Sequence, residues 1–276
     1  MRVRSLGLAT ELALADTRGT VTDRGDCLVV ETADDHGYYY GNLLVLAEPP
    51  RAGELAHWRR RFDAELGTNP EIRHVTLAWD GGPADPAATA ELEAAGFTLE
   101  HVQVMTAQAV APFAVDAEIR LLAPDEVDVE LAWAVADRHD ENYRRFLSRR
   151  ASWHRDLVVR GAARFWGAFD DGELVASLGL VDLQPTGATW SGPLGRHARY
   201  QDVQTAISHR KRGLASALLS ASATEAFARG IASVVIVAEP ASDAARVYDR
   251  VGFAVAERTV SACLRPINEL PSRSRS

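Results

Sequence analysis

Apolar positions along the chain switch repeatedly between two periods. Short runs rich in Val, Leu and aromatic residues at 27–32, 38–47, 73–79 and 97–107 predict strands, each bounded by Gly, Pro or charged residues. Between them Leu55, Trp58, Phe62 and Leu66 recur at helical spacing after the turn signal Pro49–Pro50, and PAATAELEAA predicts a second helix. A small-residue stretch at 107–118, interrupted by Pro112, separates this half from a second one with the same alternation. There EIRLL predicts a strand, followed by a helix over APDEVDVELAWAVADRH and another over ENYRRFLSRRASWHRDLVV. ARFWGAFD and ELVASLGLVD predict two strands joined by a DDG hairpin turn. A strand at YQDVQTAIS (200–208), a helix at GLASALLSASATEAFARG, a strand at ASVVIVA, a helix at ASDAARVYDRV and a last strand at FAVAERTVSACL complete the pattern. The expected class is α+β (mixed α/β), with domains at 1–112 and 113–270 and a disordered PSRSRS tail at 271–276.

Composition narrows the function. The chain of 276 residues suffices for two modest domains, and its 47% hydrophobic and 25% charged content is that of a water-soluble protein. No apolar run approaches the ~20 residues that span a bilayer. Glu11 and Asp16 interrupt the N-terminal segment too early for a signal peptide, so a cytoplasmic protein without membrane partners is expected. Two cysteines, Cys27 and Cys263, form neither a zinc spacing nor a disulfide framework; they read as structural, and no metal site is expected. A net charge of −8 disfavours nucleic acid as a partner. A monomer and a homodimer are equally compatible with the sequence.

Against that acidic background, HRKRGLASALLSAS (209–222) stands out. A strand, a short basic turn and a helix leave free backbone N–H groups at the positive end of a helix dipole, an arrangement that holds anions. Gly213 lets a phosphate approach the backbone, Ala215 keeps the first turn narrow, and Arg210, Lys211 and Arg212 offer charge-assisted contacts. The bland alternative is a solvated basic turn.

The segment RKRGLA (210–215) resembles the Arg/Gln-x-x-Gly-x-Gly/Ala pyrophosphate loop of the GNAT superfamily of acyl-CoA-dependent N-acyltransferases, and VYDRVGF (247–253) resembles its Tyr-x-x-x-Gly-Phe segment. The order of elements from residue 117 is also similar to the superfamily's. The resemblance implies a GNAT fold: a central mixed, mostly antiparallel sheet flanked by helices. It implies acetyl-CoA as cofactor and direct attack on the thioester by the primary amine of a small molecule. In the residues it covers, backbone groups of Val203, Gln204 and Thr205 would pair with pantetheine, and residues Arg210 to Ala215, Leu214 included, would take the pyrophosphate. Tyr248 would be the general acid, although Ala244, Val247, Tyr248 and Val251 share helical spacing and the ring reads equally as core. Asp202 and Glu239 are the carboxylates available as base; for each, an exposed charge is as good an account. His209 reads as base, phosphate ligand or solvated side chain. Ala241 stands where the superfamily often has an asparagine. Trp153, Trp166 and Trp190 are acceptor-pocket or core aromatics. A non-catalytic acyl-CoA binder is the competing reading.

The first half resembles a worn copy. ELEAAGFTLEHVQVM (91–105) aligns on its Gly-Phe with VYDRVGFAVAERTVS (247–261), which sets Leu92 opposite Tyr248. Matching Gly53 to Gly213 sets Pro50 opposite Arg210 and Leu55 opposite Ala215. The resemblance is thus to a tandem GNAT protein with a degenerate N-terminal domain.

Overall fold

A computed structural model describes residues 1–137, 139–183 and 189–266; the expected tail at 271–276 lies outside the described residues. The chain opens with a helix that its pattern hides, α1 (Leu6–Ala15), capped by the Ser5 side chain on the Leu8 N–H. Seven of its residues are buried on all sides, so no polar stripe reveals its period. Strands β1 (Thr20–Asp23), β2 (Cys27–Glu31) and β3 (Leu43–Leu46) follow, then α2 (Leu55–Glu65), β4 (Val75–Trp79), α3 (Pro86–Ala94) and β5 (Thr98–Ala107). The long apolar run at 38–47 yields only its second half as strand; Tyr38–Gly41 turns back on itself, with the Gly41 N–H donating to the Tyr38 carbonyl.

The second half contains β6 (Glu118–Leu121), α4 (Glu130–Ala134), α5 (Glu141–Val159), β7 (Ala163–Asp170), β8 (Glu173–Leu183), β9 (His197–Thr205), α6 (Leu214–Ala228), β10 (Ser233–Ala238), α7 (Asp243–Val251) and β11 (Ala254–Leu264). The expected hairpin joins β7 and β8: Asp171 (φ 49°) and Gly172 (φ 83°) both take the left-handed conformation of a type I′ turn. Strand β9 begins and ends three residues before the expected 200–208, because Ile207–His209 tightens into a 3₁₀ turn that carries the chain from the sheet to α6. The same eight-element order, helix, three strands, helix, strand, helix, strand, occurs twice, from α1 to β5 and from α5 to β11.

The described residues pack as two compact units, one from the ranges 1–102, 189–193 and 258–266 and the other from 103–137, 139–183 and 194–257. The first unit has sheet order β1-β2-β3-β4-β11; the second, β5-β10-β9-β8-β7-β6. Each unit takes its last strand from the opposite half of the sequence. Ser261–Leu264 of β11 run antiparallel to β4, and Gln103–Ala107 of β5 run antiparallel to β10. Most neighbouring strands are antiparallel, but β3 with β4 and β9 with β10 are parallel.

The core of the first unit centres on Phe62, Trp79, Leu92 and Phe97 with Val260 and Ala262 from β11. That of the second packs α6 and α7 over the sheet through Tyr200, Leu218, Leu219, Tyr248 and Phe253. Full burial of such side chains contributes about 1.5–3 kcal/mol each before entropy is counted, enough to fix both helix faces.

Candidate active site

The parallel pair of the second unit separates part-way along its length. Strand β10 pairs with β9 only at Ser233–Val235 against His197–Arg199, while its other edge stays bonded to β5 through Ala238. Beyond Arg199 the facing edge of β9, which includes Val203, Gln204 and Thr205, is left open. A bulge sharpens the divergence: Gly179 faces Gln201 and Ser177 faces Gln204, so one β8 residue is opposed by two on β9, and Asp202 sits there at φ 50°. The bulge turns Asp202 and Gln204 toward α5, where Gln204 donates to the Ser177 hydroxyl at 3.0 Å, and turns Val203 toward the core beneath α6.

At the end of this edge the basic loop opens α6. Lys211 (φ 64°) and Gly213 (φ 81°) are both left-handed, and Gly213 is the N-cap residue, with no side chain to occupy the first amides. The uncapped turn therefore presents the N–H groups of Gly213, Leu214 and Ala215 as a ready anion site. Leu214 is buried and anchors the helix, Ala215 is half-buried, and Arg210 and Lys211 are exposed. Arg212 bonds Asp170 at 2.7 Å, and His209 Nε2 lies 3.3 Å from the same carboxylate. These contacts, Arg212 first, hold Asp170 below the usual carboxylate range. Tyr248 lies on the inward face of α7, 6% exposed, its ring 6.2 Å from that of Phe253; burial pushes its phenol up to about 12.

Two comparisons bear on this arrangement. Residues 128–253 match the model of the acetyltransferase (GNAT) family. The chain carries a GNAT acetyltransferase domain. Solved structures agree on the fold. A functionally unknown conserved protein from Staphylococcus epidermidis superposes with a TM-score of 0.67 at 12% identity, over 90% of this chain and 95% of its own. A GCN5-related N-acetyltransferase from Kribbella flavida gives 0.62 at 17% identity, over 95% and 97%. One from Sphaerobacter thermophilus gives 0.52 at 19%, over 89% and 83%. No match is found among curated proteins. The domain is an acyltransferase domain, and proteins of the GNAT family use acetyl-CoA as co-substrate.

Within the GNAT domain the two carboxylates expected near the reaction differ. Asp202 forms an ion pair with Arg150 and lies 3.6 Å from Nδ1 of the buried His154, both on α5. Glu239 follows β10 with an exposed side chain, its carbonyl accepting the Ser242 hydroxyl at 2.8 Å. Ala241, where an asparagine is usual, is held left-handed at φ 61°. Trp190 belongs to the first unit, where it is buried and its indole N–H donates to Asp16 at 3.1 Å, in keeping with the core alternative for this residue. Nothing in the linear pattern singled out Asp170, Arg150 or His154. Their placement was partly readable: the hairpin turn sets Asp170 at a strand end, and Arg150 and His154 are four apart on one helix face.

The first unit carries the same scaffold without the opening. Strands β3 and β4 remain paired to Leu46 and Trp79, and the Asp80 N–H still donates to the Leu46 carbonyl at 2.9 Å. Gly53 is left-handed (φ 86°) like Gly213, but its N–H donates to the Glu91 carboxylate at 2.6 Å. An anion of the chain's own already occupies that amide. Leu92, opposite Tyr248 in the alignment, is 1% exposed core.

No helix among the described residues is long and apolar enough to cross a membrane.

Proposed function

We propose that the protein transfers the acetyl group of acetyl-CoA to the primary amine of a small molecule, and that residues 113–270 hold this activity beside a degenerate copy at 1–112. The observation that carries the reading is the uncapped, left-handed Gly213 turn at the foot of a parallel pair that separates after Arg199 and Val235. When bound, acetyl-CoA supplies an acyl carbon already activated as a thioester. Of the amides expected from Arg210 to Ala215, that of Arg210 is given to the Ile207 carbonyl at 3.4 Å, so those from Lys211 to Ala215 grip the diphosphate, with the Arg210 and Lys211 side chains adding charge. Open backbone groups of Val203, Gln204 and Thr205 take the pantetheine amides and orient the chain, an effect able to remove several kcal/mol of barrier.

Tyr248 donates a proton to the departing thiolate; the phenol is protonated at neutral pH, the form a general acid needs, and burial raises its pKa further. Asp202 and Glu239 are the carboxylates placed to receive the ammonium proton. The pairing of Asp202 with Arg150 and the exposure of Glu239 favour one alternative, an acyl-CoA binder without turnover. Steady-state acetyl transfer to a panel of amines, with Tyr248→Phe alongside, separates the two. Turnover that falls at least tenfold in the variant supports the enzyme. Tight CoA binding without transfer to any amine refutes it.

A further inference from the structure

The small-residue stretch that follows β5 belongs to the second unit, where it packs on the core and joins the two helices of the proposed chemistry. Ser220 lies on α6 about two turns beyond Gly213, and its hydroxyl donates to the Ala111 carbonyl at 2.8 Å. The Ala111 N–H donates in turn to the Val251 carbonyl at 2.8 Å. Val251 ends α7, and Tyr248 lies one turn before it. Ala111 thus ties α6 to α7 through both of its backbone groups. Neither bond is local. A serine within a helix can satisfy its hydroxyl on the carbonyl four residues back, as Ser222 does with Leu218 at 2.7 Å, but Ser220 reaches a residue 109 positions away. The Val251 carbonyl is among the last of its helix, beyond the reach of any intrahelical N–H, so Ala111 serves a group that α7 leaves over. The fit is close: a Cβ on Gly252 would lie 3.2 Å from the Ala109 carbonyl oxygen.

We propose that Ser220 is a positioning residue for acetyl transfer: through Ala111 it fixes α7 against α6, and with it the Tyr248 hydroxyl against the sulfur of a cofactor held on α6. The proposal rests on the acetyl-transfer reading above and adds a residue to its proton-transfer step. As the amide C–N bond forms and the C–S bond breaks, the Tyr248 proton passes to sulfur; the proton shed by the amine goes to solvent, which later reprotonates the phenolate. Ser220 and Ala111 touch none of the reacting atoms. Helix α7 has nine residues, too few to hold its place alone, so its buried face and the contacts at its ends decide where Tyr248 stands. A displacement of about 1 Å at the reacting groups can cost up to a hundredfold in rate.

The test uses the full chain, acetyl-CoA and the best acceptor from the amine panel above, with thiol release as readout. Ser220→Ala removes a single oxygen from a buried site and is expected to stay folded, which thermal unfolding checks. Its kcat is expected to fall about fivefold, while KM for acetyl-CoA and the calorimetric affinity for CoA stay within about twofold of the parent, since the α6 amides are untouched. Ala111→Pro removes the N–H at the other end of the bridge and is expected to show the same split. In the Tyr248→Phe background neither change is expected to lower kcat further, because the hydroxyl they position is gone; a role in stability alone would add its loss there in full. An unchanged kcat in Ser220→Ala, a loss of CoA affinity equal to the loss in kcat, or an undiminished further loss in the Tyr248→Phe background overturns this proposal while leaving acetyl transfer standing. Transfer to none of the amines overturns both.

Discussion

Gly213→Glu is the most searching perturbation of the cofactor site. Gly213 is exposed and left-handed (φ 81°), and an added Cβ would lie 3.4 Å from Val115 Cγ1, ordinary contact. The steric cost is therefore small, and the strain of an L-residue in this conformation is about 1–2 kcal/mol. A carboxylate roughly 4 Å from a phosphate opposes it by about 4 kcal/mol per unit charge at an effective dielectric constant of ~20. At ~1.4 kcal/mol per decade this is about a thousandfold in affinity, or about a hundredfold if the side chain partly swings into solvent. Gly213→Gln carries the same strain and bulk without charge, so the ratio between the two variants isolates the electrostatic part. Calorimetric titration with CoA reads the affinity, and thermal unfolding reads the strain. Both variants are expected to unfold a few degrees below the parent, with the Glu variant alone losing CoA affinity by a further two to three decades. Equal affinities of the Glu and Gln variants would show that no diphosphate sits on these amides.

Other expectations follow from the same geometry. Because burial pushes Tyr248 up to about 12, the phenol stays protonated through pH 10, so the alkaline limb of the wild-type rate profile is expected to keep its midpoint in Tyr248→Phe while the plateau falls; a shifted midpoint would assign that limb to the tyrosine. The folded state then holds a proton that the unfolded chain releases near pH ~10, so the contribution of Tyr248 to stability is full below that pH and is lost as pH rises toward 12, a change chemical denaturation at pH 9 and 12 would detect. Asp170→Asn frees Arg212 and removes a negative charge beside the loop, and CoA affinity is expected to rise severalfold at low salt and less at high salt; weaker binding would mean that Asp170 chiefly aligns the loop. One CoA per chain is expected by calorimetry, and Gly53→Glu should leave that affinity unchanged, since Glu91 already occupies the amide; a second equivalent bound would refute the account of the first unit.

How far the sequence foretold this depends on where each feature's information resides. The left-handed basic turn before α6 and the α7 segment around Tyr248 were readable because their signals are local: a glycine, three basic residues and a tyrosine at fixed spacing in continuous stretches. The DDG hairpin was readable for the same reason. Helix α1 was not, since burial on all sides erases the periodicity by which a surface helix is recognised. The exchange of β5 and β11 was equally silent, because an apolar strand specifies a buried position but not which neighbour lies beside it. The Asp202–Arg150 and Asp170–Arg212 pairs unite residues 52 and 42 apart in sequence, and charged side chains give no sign in a linear pattern of which opposite charge they meet.

The two units share a succession of elements and differ in the opening between their parallel strands. Both have a left-handed glycine before the helix that follows the third strand, at φ 86° and 81°, so the turn geometry has survived in each. In the first unit the parallel ladder closes up to Asp80, and the Gly53 amide is satisfied by Glu91. Its backbone groups are thus spent internally, and a ligand would have to displace a charge-assisted hydrogen bond to bind. In the second unit the ladder stops at Arg199 and Val235, and a bulge against β8 follows at Asp202. Its β9 edge from Gln201 to Thr205 is half-buried and unpaired with β10, so an extended molecule rich in amides and ending in a diphosphate is expected to bind along that edge and on the α6 amides.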